Sequence, residues 1–210
     1  IGESPQKLRG YDPSTMTSGG MLTESQAVQL NNGNVLLFMR NNYSGKVQVA
    51  TSTDGGLTWD SIKDAGVTDV YCQLSVLHYT KSDGSEWILL SNPAGSGRNN
   101  GTVHLGQVND DGTINWTHSR LIKEGYYAYS CLTLVDDSGE HADNPLFALM
   151  YEGDNIAYTT FDENYIKAGM IEETMDAPQM TNATAEINGD QVTVTLRFDQ
   201  NVLAAGQPQL

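Results

Sequence analysis

The stretch Val47-Gln48-Val49-Ala50-Thr51-Ser52-Thr53-Asp54-Gly55-Gly56-Leu57-Thr58-Trp59 joins a short strand to a turn built from Ser, Asp, Gly, Thr and Trp. The strand has counterparts in Val103-His104-Leu105-Gly106-Gln107 and Ile156-Ala157-Tyr158-Thr159-Thr160, and successive copies start 56 and 53 residues apart. Two further strands precede each copy. First strands are read at Glu24 to Leu30, Cys72 to Leu77 and Ser130 to Val135. Second strands are read at Val35 to Met39, Trp87 to Leu90 and Leu146 to Tyr151. Turns rich in Asn, Asp and Gly separate them: Asn31-Asn32-Gly33, Asp83-Gly84-Ser85 and the longer Asp136 to Pro145.

A period near fifty residues, with up to four short antiparallel strands per unit, is the mark of a β-propeller blade. Solenoids repeat faster, and sandwiches do not repeat this way. A ring of typical size closes with about four to eight blades. The chain is therefore predicted to be all-β and to supply roughly half of a propeller. The turn after the first unit fits the Asp-box pattern S-x-D-x-G-x-T-W through Ser52, Asp54, Gly56, Thr58 and Trp59. Asn109-Asp110-Asp111-Gly112 to Trp116 reads as a worn copy. In such a turn Ser and Asp accept backbone N–H groups, Gly takes a positive φ, and Trp packs between neighbouring sheets. The acidic spacing does not match a calcium loop, so the box is a fold marker without chemistry.

Composition narrows the function classes. A chain of 210 residues with 39% apolar content can bury a core, and 21 Gly with many Asn-Gly and Asp-Gly pairs favour tight turns over helices. The net charge of −15 opposes binding to nucleic acid and docking on anionic membranes. No apolar run approaches the roughly 20 residues that span a bilayer. The chain opens at Ile1 without a leader segment and is expected to be a piece of something longer. Two cysteines, Cys72 and Cys131, make no disulfide scaffold and are expected to be free, buried strand residues. No HExxH or CxxC is present, so no metal or cofactor is expected. Residues 1–175 form the repeating part. Asp176-Ala177-Pro178 reads as a linker, and Gln191 to Phe198 alternates as a strand, so 176–210 is expected to open a truncated immunoglobulin-like module.

Strand direction sorts the polar residues. In an antiparallel blade the start of strand one and the end of strand two share a rim. Glu24 and Tyr129 stand at the starts of first strands, while Arg40, Arg98 and Glu152 follow second strands. All five are predicted on one rim, with Asp54 on the other. Singly, Arg40 and Arg98 read equally as solvated loop cations, Glu24 as a strand-edge charge and Tyr129 as a core aromatic. Together on one rim, with two of the chain's five arginines at equivalent positions, they make a shared functional site the stronger reading.

From about Met21 to Phe161 the sequence resembles the bacterial exo-α-sialidases. The resemblance is carried by Met21 to Gln26, Phe38-Met39-Arg40-Asn41, the Asp box, Tyr71-Cys72-Gln73-Leu74-Ser75, Gly97-Arg98-Asn99-Asn100-Gly101-Thr102, Tyr127 to Leu132 and Tyr151-Glu152. It looks closest to the large secreted sialidases of Gram-positive bacteria. The resemblance implies a six-bladed propeller, secreted or at the bacterial cell surface, acting on sialylated glycans or glycoproteins. It also implies roles. Arg40 and Arg98 match the second and third arginines of a triad that clamps the substrate carboxylate by bidentate, charge-assisted hydrogen bonds. Tyr129 matches the nucleophile and Glu24 its base. A neutral phenol avoids the repulsion an anionic carboxylate would meet beside the sugar's own carboxylate. Glu152 matches the acid that orients the triad's first arginine, although the Asp137 to Pro145 stretch looks longer than usual. By the same resemblance, that first arginine, the Asp acid/base and the first blades belong to an N-terminal half outside these residues, and the chain alone is expected to be inactive. Two other readings stay open: a trans-sialidase or intramolecular transferase, and a sialic-acid-binding propeller without catalysis.

Overall fold

The computed structural model describes residues 22–42, 44–169, 180–188 and 191–198. Met21 and the predicted linker Asp176-Ala177-Pro178 lie outside them. The chain divides into two compact units, Ile1–Met170 and Ile171–Leu210.

In the first unit the repeat becomes three antiparallel meanders. The first sheet runs in the order β1 (Leu22–Gln29), β2 (Val35–Asn41), β3 (Lys46–Ser52), β4 (Lys63–Thr68). The second runs β5 (Ser75–Thr80), β6 (Glu86–Pro93), β7 (Asn99–Val108), β8 (Ile114–Tyr126). The third holds β9 (Ser130–Asp136), β10 (Leu146–Glu152) and β11 (Ile156–Asp162), followed by the short helix α1 (Glu163–Lys167). Each sheet is one propeller blade. The predicted first strand at Cys72 starts later, at Ser75. Tyr71 adopts a left-handed backbone (φ 59°), and the N–H groups of Tyr71 and Cys72 bond the Asp69 side chain instead of a strand.

The second sheet is the middle layer of the three. Along β6 the side chains alternate between two cores. Trp87 and Leu89 pack with Tyr79, Val103, Leu132, Phe147 and Leu149 toward the third sheet. Ile88 and Leu90 pack with Leu36, Phe38, Val47 and Val76 toward the first. Both faces are covered, which is why Trp87-Ile88-Leu89-Leu90 is a continuous apolar run. Each such side chain contributes roughly 1.5–3 kcal/mol by leaving water. The outer face of the third sheet lacks a cover among the described residues. Val135, Met150, Ile156 and Tyr158 stand there 51%, 50%, 71% and 68% exposed, with Met150 registered against both Tyr158 and Cys131. Cys131 is therefore exposed, contrary to expectation, because it alternates with the buried Leu132. Cys72 is buried as expected but precedes its strand, and both thiols are free.

The Ser52–Trp59 turn satisfies its own backbone. Ser52 Oγ accepts from Gly56 N (2.8 Å), and Asp54 accepts from Thr58 N (2.8 Å) and Thr58 Oγ1 (2.6 Å). Those bonds from Thr58 and one from Ser52 hold the Asp54 carboxyl down, to about 2. Trp59 lies over Gly56, whose φ is 91°. Trp116, in the second copy, spans two sheets by donating to the Ala65 carbonyl of β4 at 2.6 Å.

A buried ionic cluster pins α1 to the second sheet. Glu163, 1% exposed, accepts from Tyr79 Oη (2.5 Å), Lys81 Nζ (2.5 Å) and Lys167 Nζ. Burial opposes its charge, but Lys167, Lys81 and Tyr79 outweigh that and hold the carboxyl below its ordinary value. A depressed pKa stabilises the fold above the unfolded value of about 4.3, and the gain is lost as pH falls through the folded value. Glu163→Gln should therefore cost about 3–5 kcal/mol at neutral pH, leaving two partly buried lysines uncompensated. In denaturant melts the gap to the parent should begin to narrow as pH falls below about 4.3 and shrink further as Glu163 itself protonates. Equal midpoints at pH 7 would mean that the cluster adds nothing.

The second unit contains a hairpin of β12 (Met180–Asn188) and β13 (Gln191–Phe198), closed by the pair Asn188 and Gln191. The predicted strand and β13 have the same bounds.

Candidate active site

Strand order brings the five predicted residues to one rim. β1 is irregular between Thr23 and Gln26, and Glu24 takes φ 46° there. A left-handed non-glycine residue is strained, and such strain persists where the surroundings enforce it. Here the conformation aims the Glu24 carboxylate at two partners. Oε2 accepts from Arg40 Nη1 at 2.5 Å, and Oε1 accepts from Tyr129 Oη at 3.3 Å.

Arg40, next to last in β2, lies opposite Thr23 and is 7% exposed. Burial opposes its charge, but Glu24 and the Tyr129 hydroxyl raise the guanidinium above its ordinary value. The Tyr71 ring lies against it, 4.0 Å from Cζ to centroid. One buried carboxylate, Asp69, holds both walls of this stack. It accepts from Asn41 N (2.6 Å) at the end of β2, and from Tyr71 N (2.7 Å) and Cys72 N (3.2 Å). Burial raises the Asp69 carboxyl despite those donors and nearby Arg40.

Arg98 stands on the loop between β6 and β7, with its Cζ 5.5 Å from the Tyr129 ring centroid. It is exposed and has no ion-pair partner among the described residues, so its donors face solvent. Its carbonyl accepts from Tyr127 N at 3.1 Å. The loop needs its glycines: a Cβ on Gly101 would fall 2.0 Å from the Tyr127 ring, and one on Gly95 would fall 1.6 Å from Asn99 Oδ1. Tyr129 itself is 39% exposed. Glu152 lies beside it, donating its N–H to the Tyr129 carbonyl at 2.8 Å, while Glu152 Oε1 accepts from Tyr126 Oη at 3.0 Å.

Residue type and strand position thus anticipated Glu24, Arg40, Arg98, Tyr129 and Glu152 as neighbours. Tyr71, Asp69 and Tyr126 had no role assigned. Tyr71-Cys72-Gln73 was already conspicuous as a motif, but its left-handed turn and stacking depend on Asp69, which carries no local signal. The arrangement offers two cations beside a phenol whose proton has a carboxylate to go to. That suits binding an anion next to an electrophilic carbon.

The family model for the BNR repeat-like domain matches residues 12–141. An anhydrosialidase of Macrobdella decora is 34% identical over 134 residues, which cover 57% of this chain and 18% of that protein. A sialidase of Micromonospora viridifaciens is 30% identical over 199 residues, covering 90% of this chain and 28% of that one. Among solved structures, a leech intramolecular trans-sialidase complexed with 2,7-anhydro-Neu5Ac superposes with a TM-score of 0.62 at 27% identity, covering 73% of this chain and 25% of that one. A point variant of the NanB sialidase of Streptococcus pneumoniae gives a TM-score of 0.59 at 27% identity, covering 68% and 23%. The chain spans only 18% and 28% of the lengths of these two curated relatives. With its three antiparallel blades and its BNR match over most of its length, the chain belongs to the BNR-repeat sialidase family and supplies part of a sialidase domain.

Proposed function

We propose that the whole protein carrying this chain is an exo-α-sialidase that releases terminal sialic acid from glycans or glycoproteins with retention, through a covalent bond to Tyr129. The continuous contact from Arg40 through Glu24 to Tyr129 carries this reading. Arg40 and Arg98 grip the substrate carboxylate. Glu24 takes the phenolic proton as Tyr129 Oη attacks the anomeric carbon. The glycosidic electron pair goes to the leaving oxygen, which is protonated by an Asp of the rest of the domain. Water then breaks the Tyr129–carbon bond, giving one proton to that Asp while Glu24 returns its proton to the phenol. Glu152 orients a further arginine of the whole site. Residues 1–175 belong to the propeller and 176–210 begin an immunoglobulin-like module. The exposed apolar face of the third sheet is covered by the rest of the propeller, since monomers seldom leave such a patch open. The protein acts outside the bacterial cell or at its surface. No helix among the described residues is long and apolar enough to cross a membrane.

A fluorinated sialoside that traps the covalent intermediate tests the reading. Mass spectrometry of the treated whole protein should find the adduct on the peptide containing Tyr129. A fully labelled protein with its adduct elsewhere, or steady turnover with no adduct, would reject it. The similarity to an anhydrosialidase and to an intramolecular trans-sialidase supports a second reading, in which the sugar's own hydroxyl replaces water. Product analysis separates the two, since only the second yields an anhydro sugar.

A further inference from the structure

The innermost strand of the third sheet has a free edge, because the sheet order is β11, β10, β9. Unpaired edge groups need partners, and here side chains of β5 and of the segment leading into it supply them. The Gln73 amide meets the backbone of Ser130 twice: Nε2 donates to Ser130 O at 3.0 Å, and Oε1 accepts from Ser130 N at 2.8 Å. Two residues on, Ser75 Oγ accepts from Leu132 N at 2.9 Å. A similar stitch joins the first two sheets, where Gln26 Oε1 accepts from Val76 N at 2.8 Å.

Of these stitches, only that of Gln73 lands beside Tyr129. On the opposite side of β9, Glu152 N bonds the Tyr129 carbonyl. Ser130 Oγ also accepts from the buried Ser91 Oγ at 3.1 Å and donates to the Ser91 carbonyl at 3.4 Å, but these contacts engage no main-chain group of β9. The paired Gln73 bonds hold the edge of β9 that its ladder with β10 leaves open, because an amide matched to both N–H and C=O of one residue mimics a strand pairing. We infer that Gln73 is a positioning residue, which holds the start of β9 so that the Tyr129 hydroxyl stays within reach of Glu24. The inference rests on Tyr129 being the nucleophile.

The test compares Gln73→Met with Ser75→Ala in the whole protein. Methionine keeps the length of the side chain and removes both hydrogen bonds. It should lower kcat about 10–100-fold, as small misplacements of reacting groups do, and leave KM within about twofold because the arginines are untouched. Ser75→Ala removes an equivalent edge bond further from Tyr129 and should leave both constants within about twofold. Unchanged kcat in Gln73→Met, or an equal loss in Ser75→Ala, overturns the inference. If Gln73→Met does not fold, Gln73→Glu replaces it: the acceptor remains, an anion meets the Ser130 carbonyl, and the same kcat-specific loss is expected. Trapping separates the two levels. An adduct on Tyr129 that forms at the parental rate in the Gln73 variant rejects only the positioning role. A trapped adduct elsewhere in the parent protein rejects the nucleophile and this inference with it.

Discussion

Tyr129→Phe in the whole protein should lower turnover by at least the order of 10³-fold while leaving binding of sialic acid nearly intact. The substitution removes one oxygen. The ring stays under the Arg98 guanidinium, and the hydroxyl's bond to Glu24 is long, at 3.3 Å. Little stability is lost, because a net hydrogen bond is worth about 0.5–1.5 kcal/mol and this one is partly exposed. The chemical loss is of another size. Without the phenol there is no covalent route, and Glu24 has no proton to accept. Steady-state rates on a fluorogenic sialoside, beside calorimetric titration with free sialic acid, read the two effects separately. Near-parental turnover would remove Tyr129 from its role. Weakened binding with unchanged kcat would make it a contact residue.

The rim was legible because a propeller repeats. Once a fifty-residue period is seen, strand order alone says which loops share a rim. Glu24 at the start of β1 and Tyr129 at the start of β9 are 105 residues apart, yet fall together by that rule. Trp87 to Leu90 read only as an apolar second strand, and the structure adds that both faces of β6 are covered, which its unbroken apolar run fits. What stayed hidden depends on single long-range partners. Glu163 meets Tyr79 across 84 residues, and nothing near Glu163 in the sequence names that partner. The turn at Tyr71 is set by Asp69, whose three backbone donors come from two separate segments. Cys72-Gln73-Leu74 looked like strand because its residue types suit one. Backbone donors captured by Asp69 override that propensity. Exposure of Cys131 follows from alternation with Leu132, and was missed by treating a free thiol as a small core residue.

The 210-residue chain by itself should not hydrolyse sialosides. It holds Tyr129, Glu24, Arg40 and Arg98, arranged so that a carboxylate and an anomeric carbon could be met together. The family resemblance assigns none of these residues to the Asp that protonates the leaving oxygen, or to the first arginine of the triad. General acid assistance is typically worth about 10²–10⁴-fold. Losing one arm of a guanidinium clamp weakens transition-state binding further. Burial points the same way. With Val135, Met150, Ile156 and Tyr158 half or more exposed on one sheet face, the isolated chain should pair with itself or with the other blades of the proposed propeller. Gel filtration should therefore show the chain alone larger than a 22.8 kDa monomer. Adding a separately made segment that carries the first arginine and the Asp should dissolve the self-association and restore turnover. Brisk hydrolysis of a fluorogenic sialoside by the rigorously purified chain would sink the proposal, and would place the acid among residues assigned no chemistry here.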